Sequence, residues 1–194
     1  MINSRKDYIY YLEEDKKAIG VRTDGFKNKL RQLLFPNPIW VFQKKLRKSE
    51  YYKNCRKDLL GKFLYLIYRK QFDRYSIKLG FSIPENVFGP GLAIVHYGSI
   101  VVNGSAKVGK NCRIHASTNI GASGGSKKAP QIGDNVYIGP GAIIFGDIIV
   151  GNNNAISANA TVNKSILEEN KMIAGTPAKV IKEIDIKRII PNAN

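Results

Sequence analysis

Scarce residues exclude several chemistries at the outset. The chain holds two cysteines, Cys55 and Cys112, and two histidines, His96 and His115. Two distant cysteines give no disulfide framework, and without a Cys-x-x-Cys pair there is no zinc signature. A three-His metal site cannot come from one such chain, so no metal is expected. Long apolar runs are missing as well. The longest, from Phe63 to Tyr68, falls far short of the ~20 residues a membrane span needs. No signal-peptide pattern is visible, and the expected location is cytoplasmic. Acid is the third shortage: 15 Asp and Glu face 31 Lys and Arg, a net charge of +16. Residues 1–80 carry 20 basic against 8 acidic side chains, and 81–194 carry 11 against 7. The basic excess sits in the N-terminal part and predicts an anionic partner. No recognition motif accompanies it, so nucleic acid is not expected.

What the chain has in abundance is a beat of six. Val102, Val108, Ile114 and Ile120 open four consecutive hexads, and after a break the frame returns at Ile132, Ile138, Ile144, Val150, Ile156 and Val162. Neither a helix at period 3.6 nor a strand at period 2 gives a strict six. The repeat predicts a parallel β-helix, three hexads to a coil, with the Ile/Val stack filling the prism. Cys112 falls at a fifth hexad position and reads as a small core residue. Counting back from Val102 puts His96 in a slot meant for an aliphatic. That anomaly suits either a buried structural histidine or a functional one. His115, at a second hexad position, should face outward.

Residues 1–80 read as a basic, largely helical N-terminal region. Asp7 to Leu12 and Phe26 to Leu34 are candidate helices, and Phe35-Pro36-Asn37-Pro38 is a loop. Leu59, Leu60, Phe63, Leu64 and Ile67 fall at helical spacing, and Gly80 ends the segment. Between Trp40 and Phe72 the alternation of Lys/Arg with aromatics predicts an amphipathic helical pair. It packs on its own chain or a sister subunit, or rests on anionic lipid. Residues 81–177 form the β-helix, interrupted by a Gly- and Lys-bearing loop at 122–131 whose Lys127 and Lys128 could meet phosphates. Residues 178–194 form a C-terminal cap or tail, with Ile181, Ile184 and Ile186 in a short helix or strand.

Three stretches together, around His96, at 121–125 and at Ala174-Gly-Thr-Pro-Ala-Lys179, resemble the hexapeptide acyltransferases. The likeness is greatest to the serine acetyltransferase branch, which includes enzymes that O-acetylate polysaccharides. The resemblance covers roughly 81–182. It implies a left-handed β-helix, so that the fold class is mainly β with a helical N-terminal region. It also implies a homotrimer, or a pair of trimers, with acetyl-CoA bound between coils. Gly91 to Gly98 is similar to the family's stretch holding the catalytic base, which makes His96 that base, with His115 as a second candidate. Ala122, Ser123 and Gly124 correspond to its CoA-contacting loop. Pro140 and Ala158 fall along the pantetheine channel, and Asn163, Lys164 and Lys179 near the nucleotide end of CoA.

Two positions depart from the family pattern. Its Asp-Ile-His-Pro segment corresponds to Phe81-Ser-Ile-Pro84, and its later His before Pro corresponds to Ala129-Pro130. The orienting carboxylate is therefore absent, leaving Glu85 or His115 to compensate. These departures and the basic N-terminal region point to a sugar hydroxyl of a surface polysaccharide or its precursor as acceptor, with free serine the alternative. The basic region would then sit against an anionic membrane face or a lipid-linked glycan. From another class, a non-catalytic β-helix scaffold also fits the repeat. In the enzyme reading His96 is a general base, since an imidazole titrates near working pH. Transfer is direct, because no Ser–His or Cys–His nucleophile is readable.

Overall fold

The computed structural model describes residues 1–22 and 24–193; Thr23 and Asn194, the latter the last residue of the expected C-terminal tail, lie outside them. Four helices come first: α1 (Arg5–Ala18), α2 (Gly25–Leu34), α3 (Pro38–Cys55) and α4 (Leu59–Leu79). Their starts follow from capping chemistry. Ser4 Oγ accepts from Asp7 N at 3.0 Å, and Asp58 accepts from Gly61 N at 3.1 Å. Asn37 Oδ1 accepts from Ile39 N at 2.9 Å and Trp40 N at 3.2 Å, with Pro38 opening α3. Such caps satisfy orphan N–H groups, and proline loses nothing at a first turn. The expected loop at 35–38 is thus also the start signal of α3. Gly80, in the left-handed region at φ 77°, ends α4.

From Phe81 the chain winds into a parallel β-helix with three faces. Ile94, Ile114, Ile138, Ile156 and Ile173 pair along the first face. Val102, Ile120, Ile144 and Val162 pair along the second. Val108, Ile132 and Val150 pair along the third. All of these side chains are buried. Burial of each such aliphatic is worth about 1.5–3 kcal/mol, so the stack itself carries the solenoid. Cys112 is buried in it, and burial pushes its thiol well above the usual range.

Inter-coil spacings show where the frame slips. Ile138 pairs with Ile156, and Ile144 with Val162, 18 residues on. Ile114 pairs with Ile138, and Ile120 with Ile144, 24 residues on, because the loop after Gly121 adds six. Ile94 pairs with Ile114, and Phe88 bridges to Val108, 20 residues on. Two residues are therefore inserted between Ile94 and Val102. The slot that counting by sixes assigns to His96 belongs to Ile94, and His96 lies in the insertion, exposed.

One corner of the prism repeats asparagine in the left-handed region. Asn111, Asn135 and Asn153 have φ of 54°, 56° and 58°. Asn111 Nδ2 donates to Asn135 Oδ1 and Asn135 Nδ2 to Asn153 Oδ1, both at 2.9 Å. Asn tolerates this backbone better than other side chains, and the ladder ties successive coils together. The C-terminal segment, expected as a short helix or strand, begins as a strand. Lys171–Gly175 and Ala178–Glu183 make an antiparallel hairpin on the last coil, followed by a 3₁₀ turn at Ile186–Arg188. Ile186 is buried there, while Ile181 is 59% exposed.

The helices join the first coil through buried charge. Arg47, fully buried, donates from Nε to Asp15 at 2.8 Å and from Nη1 to Glu50 at 3.0 Å. The same guanidinium reaches Phe88 O at 2.9 Å and Gly89 O at 2.7 Å. Asp15 in turn accepts from Gly91 N and Leu92 N, each at 2.9 Å. Burial works against the charge on Arg47, but Asp15 and Glu50 outweigh it and hold its pKa above the ordinary value.

Candidate active site

His96 sits at the corner between the first and second faces. Val95 N donates to Ile114 O at 3.0 Å, which pins the strand end just before it. One coil on, His115 follows Ile114, and its N–H donates to Ile138 O at 3.1 Å. The two imidazole rings lie 6.0 Å apart between centroids, inclined at 60°. The other side of the His115 ring meets Tyr137 edge-on at 5.2 Å. Burial, then the positive charge of Arg113, then His96, lower the His115 pKa from its ordinary value. His115 thus lies half-buried beside an exposed partner.

The same corner continues through Pro140 and Ala158. Asn159 N donates to Pro140 O at 2.9 Å, joining the two coils there. Gly139 is required for that approach, because a methyl on it would fall 2.7 Å from Ala158 N. Pro140 and Ala158 are both exposed. His96, His115, Pro140 and Ala158 thus line one edge of the solenoid.

The other predicted ligand residues occupy different ground. Ala122, Ser123 and Gly124 leave the second face at its far edge, at the opposite end of its strands from the His96 corner. Asn163 and Lys164 turn at that edge two coils later. The loop is held by Lys128 Nζ to Asp147 at 2.7 Å, so Lys128 is engaged within the chain. Lys179 lies on the hairpin strand that pairs with Ala174, in contact with the strand Thr161–Val162. Within one chain the loop and the histidine stand on separate edges.

Glu85 does not replace the missing carboxylate. Its side chain is spent among the helices, accepting from Ser49 Oγ, from Lys53 Nζ at 2.8 Å and from Arg69 Nη1 at 3.0 Å. Burial pushes this carboxyl up, but the hydrogen bonds of Lys53 and Ser49 and the charges of Lys53 and Arg69 prevail and lower it. Of the two groups expected to compensate, only His115 is near His96.

A cavity of about 700 Å³ opens beside His96. Its walls are the α1–α2 link, α2, the link into α3 and the corner Val95–Tyr97. Arg22 and Arg31 line it, and counting hexads gave no reason to look for them. Their signal is compositional: α2 contains two lysines and an arginine but no acid.

These coils form a hexapeptide-repeat β-helix. Residues 129–164 match the family described as bacterial transferase hexapeptide (six repeats). Within that class the chain resembles the serine acetyltransferase branch. The serine acetyltransferase of Mycobacterium tuberculosis is 36% identical over 100 residues, which is 50% of this chain and 43% of that protein. The crystal structure of serine acetyltransferase from Brucella abortus superposes with a TM-score of 0.72 at 26% identity, covering 93% of this chain and 71% of that one. Its complex with coenzyme A gives the same TM-score and identity, covering 93% and 70%. The left-handed β-helix behind an N-terminal helical region therefore stands as expected. The chain spans less than half the length of the curated relatives it matches.

The expected acceptor is corrected by the same findings. The sequence relatives from Mycobacterium tuberculosis and Staphylococcus aureus and the structural neighbours from Brucella abortus and Neisseria gonorrhoeae carry the name serine acetyltransferase, which favours the alternative acceptor over a polysaccharide. The departures at Phe81–Pro84 and Ala129 are local, whereas the structural likeness covers 93% of the chain. Among the described residues no helix is long and apolar enough to cross a membrane.

Proposed function

We propose that the chain is an acetyl-CoA-dependent serine O-acetyltransferase in which His96 is the general base. The observation that carries this reading is the place of His96: outside the prism, in the wall of the cavity, on the edge shared with Pro140 and Ala158. Neutral imidazole accepts the proton of the serine hydroxyl as that oxygen attacks the thioester carbonyl. Collapse of the tetrahedral adduct forms the ester and expels the CoA thiolate, which takes the proton back from His96. His115, its pKa lowered by burial and by Arg113, acts as a positioning residue packed against His96.

The residues fit acetyl-CoA by their chemistry. Pro140 and Ala158 are small and exposed along one seam, which suits an extended pantetheine arm. Lys164 and Lys179 are exposed cations for phosphate, and the backbone N–H groups of Ala122–Gly124 lie on an open loop. Because the loop and His96 occupy different edges, a neighbouring subunit supplies the second edge, which supports a homotrimer. The same reading divides the chain at Gly80 and after Pro177 and keeps it in the cytoplasm.

The test is direct. Incubated with acetyl-CoA and L-serine, the protein is expected to release CoA, and absence of serine-dependent release overturns the reading. The substitution His96→Ala is expected to lower turnover by ~10²–10⁴-fold, the range for general-base assistance. A CoA-induced rise in melting temperature should survive it. A scaffold would show neither release nor shift.

A further inference from the structure

Beside His96 the cavity wall has a one-sided charge. Arg22 comes from the α1–α2 link and Arg31 from α2, and no Asp or Glu is among the lining residues. Both arginines are exposed, and neither forms an ion pair among the described residues. Asn28, on the same wall, donates from Nδ2 to Asp24 O at 3.0 Å, and its Oδ1 accepts no hydrogen bond among the described residues. The helix α2 has no buried side chain. Its polar residues Asn28, Arg31 and Gln32 face the cavity, while Phe26 and Leu33 stand 80% and 77% exposed. A wall with two guanidiniums and no acid is built for an anion, and the planar fork of arginine matches a carboxylate two bonds at a time.

We infer that Arg22 and Arg31 hold the carboxylate of the acceptor, so that the cavity selects alcohols bearing a carboxylate and presents their hydroxyl to His96. This rests on the acetyl-transfer reading, and it names groups that the hexapeptide motifs do not contain. The α2 segment is then the specificity element of the site, and the β-helix corner supplies the base. Asn28 Oδ1 gives an ammonium group an acceptor on the same wall, so an amino acid is compatible with the positive lining. Both arginines are exposed, so replacing them removes no packing from the core.

The experiment compares L-serine with L-serinamide, its uncharged counterpart at the carboxyl end, as acceptors for the wild type and for the double variant Arg22→Gln/Arg31→Gln. The wild type is expected to prefer serine. The double variant should lose about 10–100-fold in kcat/KM for serine, chiefly through KM, the range for charge-assisted hydrogen bonds. Its serinamide turnover and its CoA-induced melting shift should stay as in the wild type. Equal use of serine and serinamide by the wild type, or a double variant within twofold of wild type on serine, overturns the inference while leaving the proposed function intact. If no acceptor is turned over, the proposed function falls, and the arginines are judged by binding alone. A serine-induced melting shift in the wild type that the double variant loses supports them, and no such shift in the wild type overturns them.

Discussion

The prism and the seam beneath the helices are both buried, yet they are filled with opposite materials. Along the faces of the solenoid the interior is Ile, Val, Ala and Cys112. At the seam it is Arg47, Asp15 and Glu50, with Glu85 of the first coil accepting from Ser49 on the same helix as Arg47 and Glu50. An apolar stack gains from every coil added and is indifferent to which coil comes next. A buried charge network works only when every partner arrives, because each unpaired ion would bear its full desolvation cost. The difference teaches that the coils supply bulk stability, while the seam fixes how the helical region sits on the first coil. It therefore also fixes where the wall carrying Arg22 and Arg31 stands relative to His96.

Breaking the seam should have the largest effect. Arg47→Ala leaves Asp15 and Glu50 buried without their cation and strips two backbone carbonyls of a donor, and about 3–5 kcal/mol of stability should be lost in urea unfolding. A cost below that of an ordinary core truncation would remove the contrast drawn here. Within the prism, Ile138→Ala should cost about 2–5 kcal/mol by lost transfer energy and cavity formation, and its neighbours above and below limit collapse. The smallest effect, about 1–3 kcal/mol at neutral pH, is expected for Glu85→Gln, which keeps shape but loses charge-assisted hydrogen bonds. The sign with pH follows from the lowered carboxyl. In the unfolded chain the group titrates near the ordinary glutamate value of 4.5, so its contribution is present above that pH. It disappears as pH falls through the lower folded value. Unfolding curves of wild type and Glu85→Gln should therefore converge in acid, and a gap that widens there would contradict the assignment.

The stack from Val102 to Val162 was readable from sequence because each slot accepts only a branched aliphatic and the spacing is uniform. Upstream the reading failed at one place for one reason. A two-residue insertion shifts the count, so that sixes taken backward land on His96 when the buried residue is Ile94. The exposed histidine was still found, because a polar ring in an aliphatic series marks a break in the rule whichever residue fills the slot. The seam was not readable. Asp15 and Arg47 stand 32 residues apart on different helices, and the carbonyls of Phe88 and Gly89 carry no side-chain signature at all. On α4 the spacing of Leu59, Leu60 and Phe63 showed a stripe but not its direction. These residues are 60–85% exposed, because α4 turns other residues, such as the buried Phe72, toward the core. The cavity arginines escaped notice because recognition there depends on a link and a short helix brought over a corner from 60 or more residues away in sequence.

The insertion between Ile94 and Val102 has a consequence of its own. Because the added residues bulge outward while Ile94 and Val102 keep their places in the pile, the corner that carries His96 can be lengthened, trimmed or re-lettered without disturbing the layers that support it. Chemistry in such a molecule can be rewritten in the margin while the ruled lines of the page stay where they are.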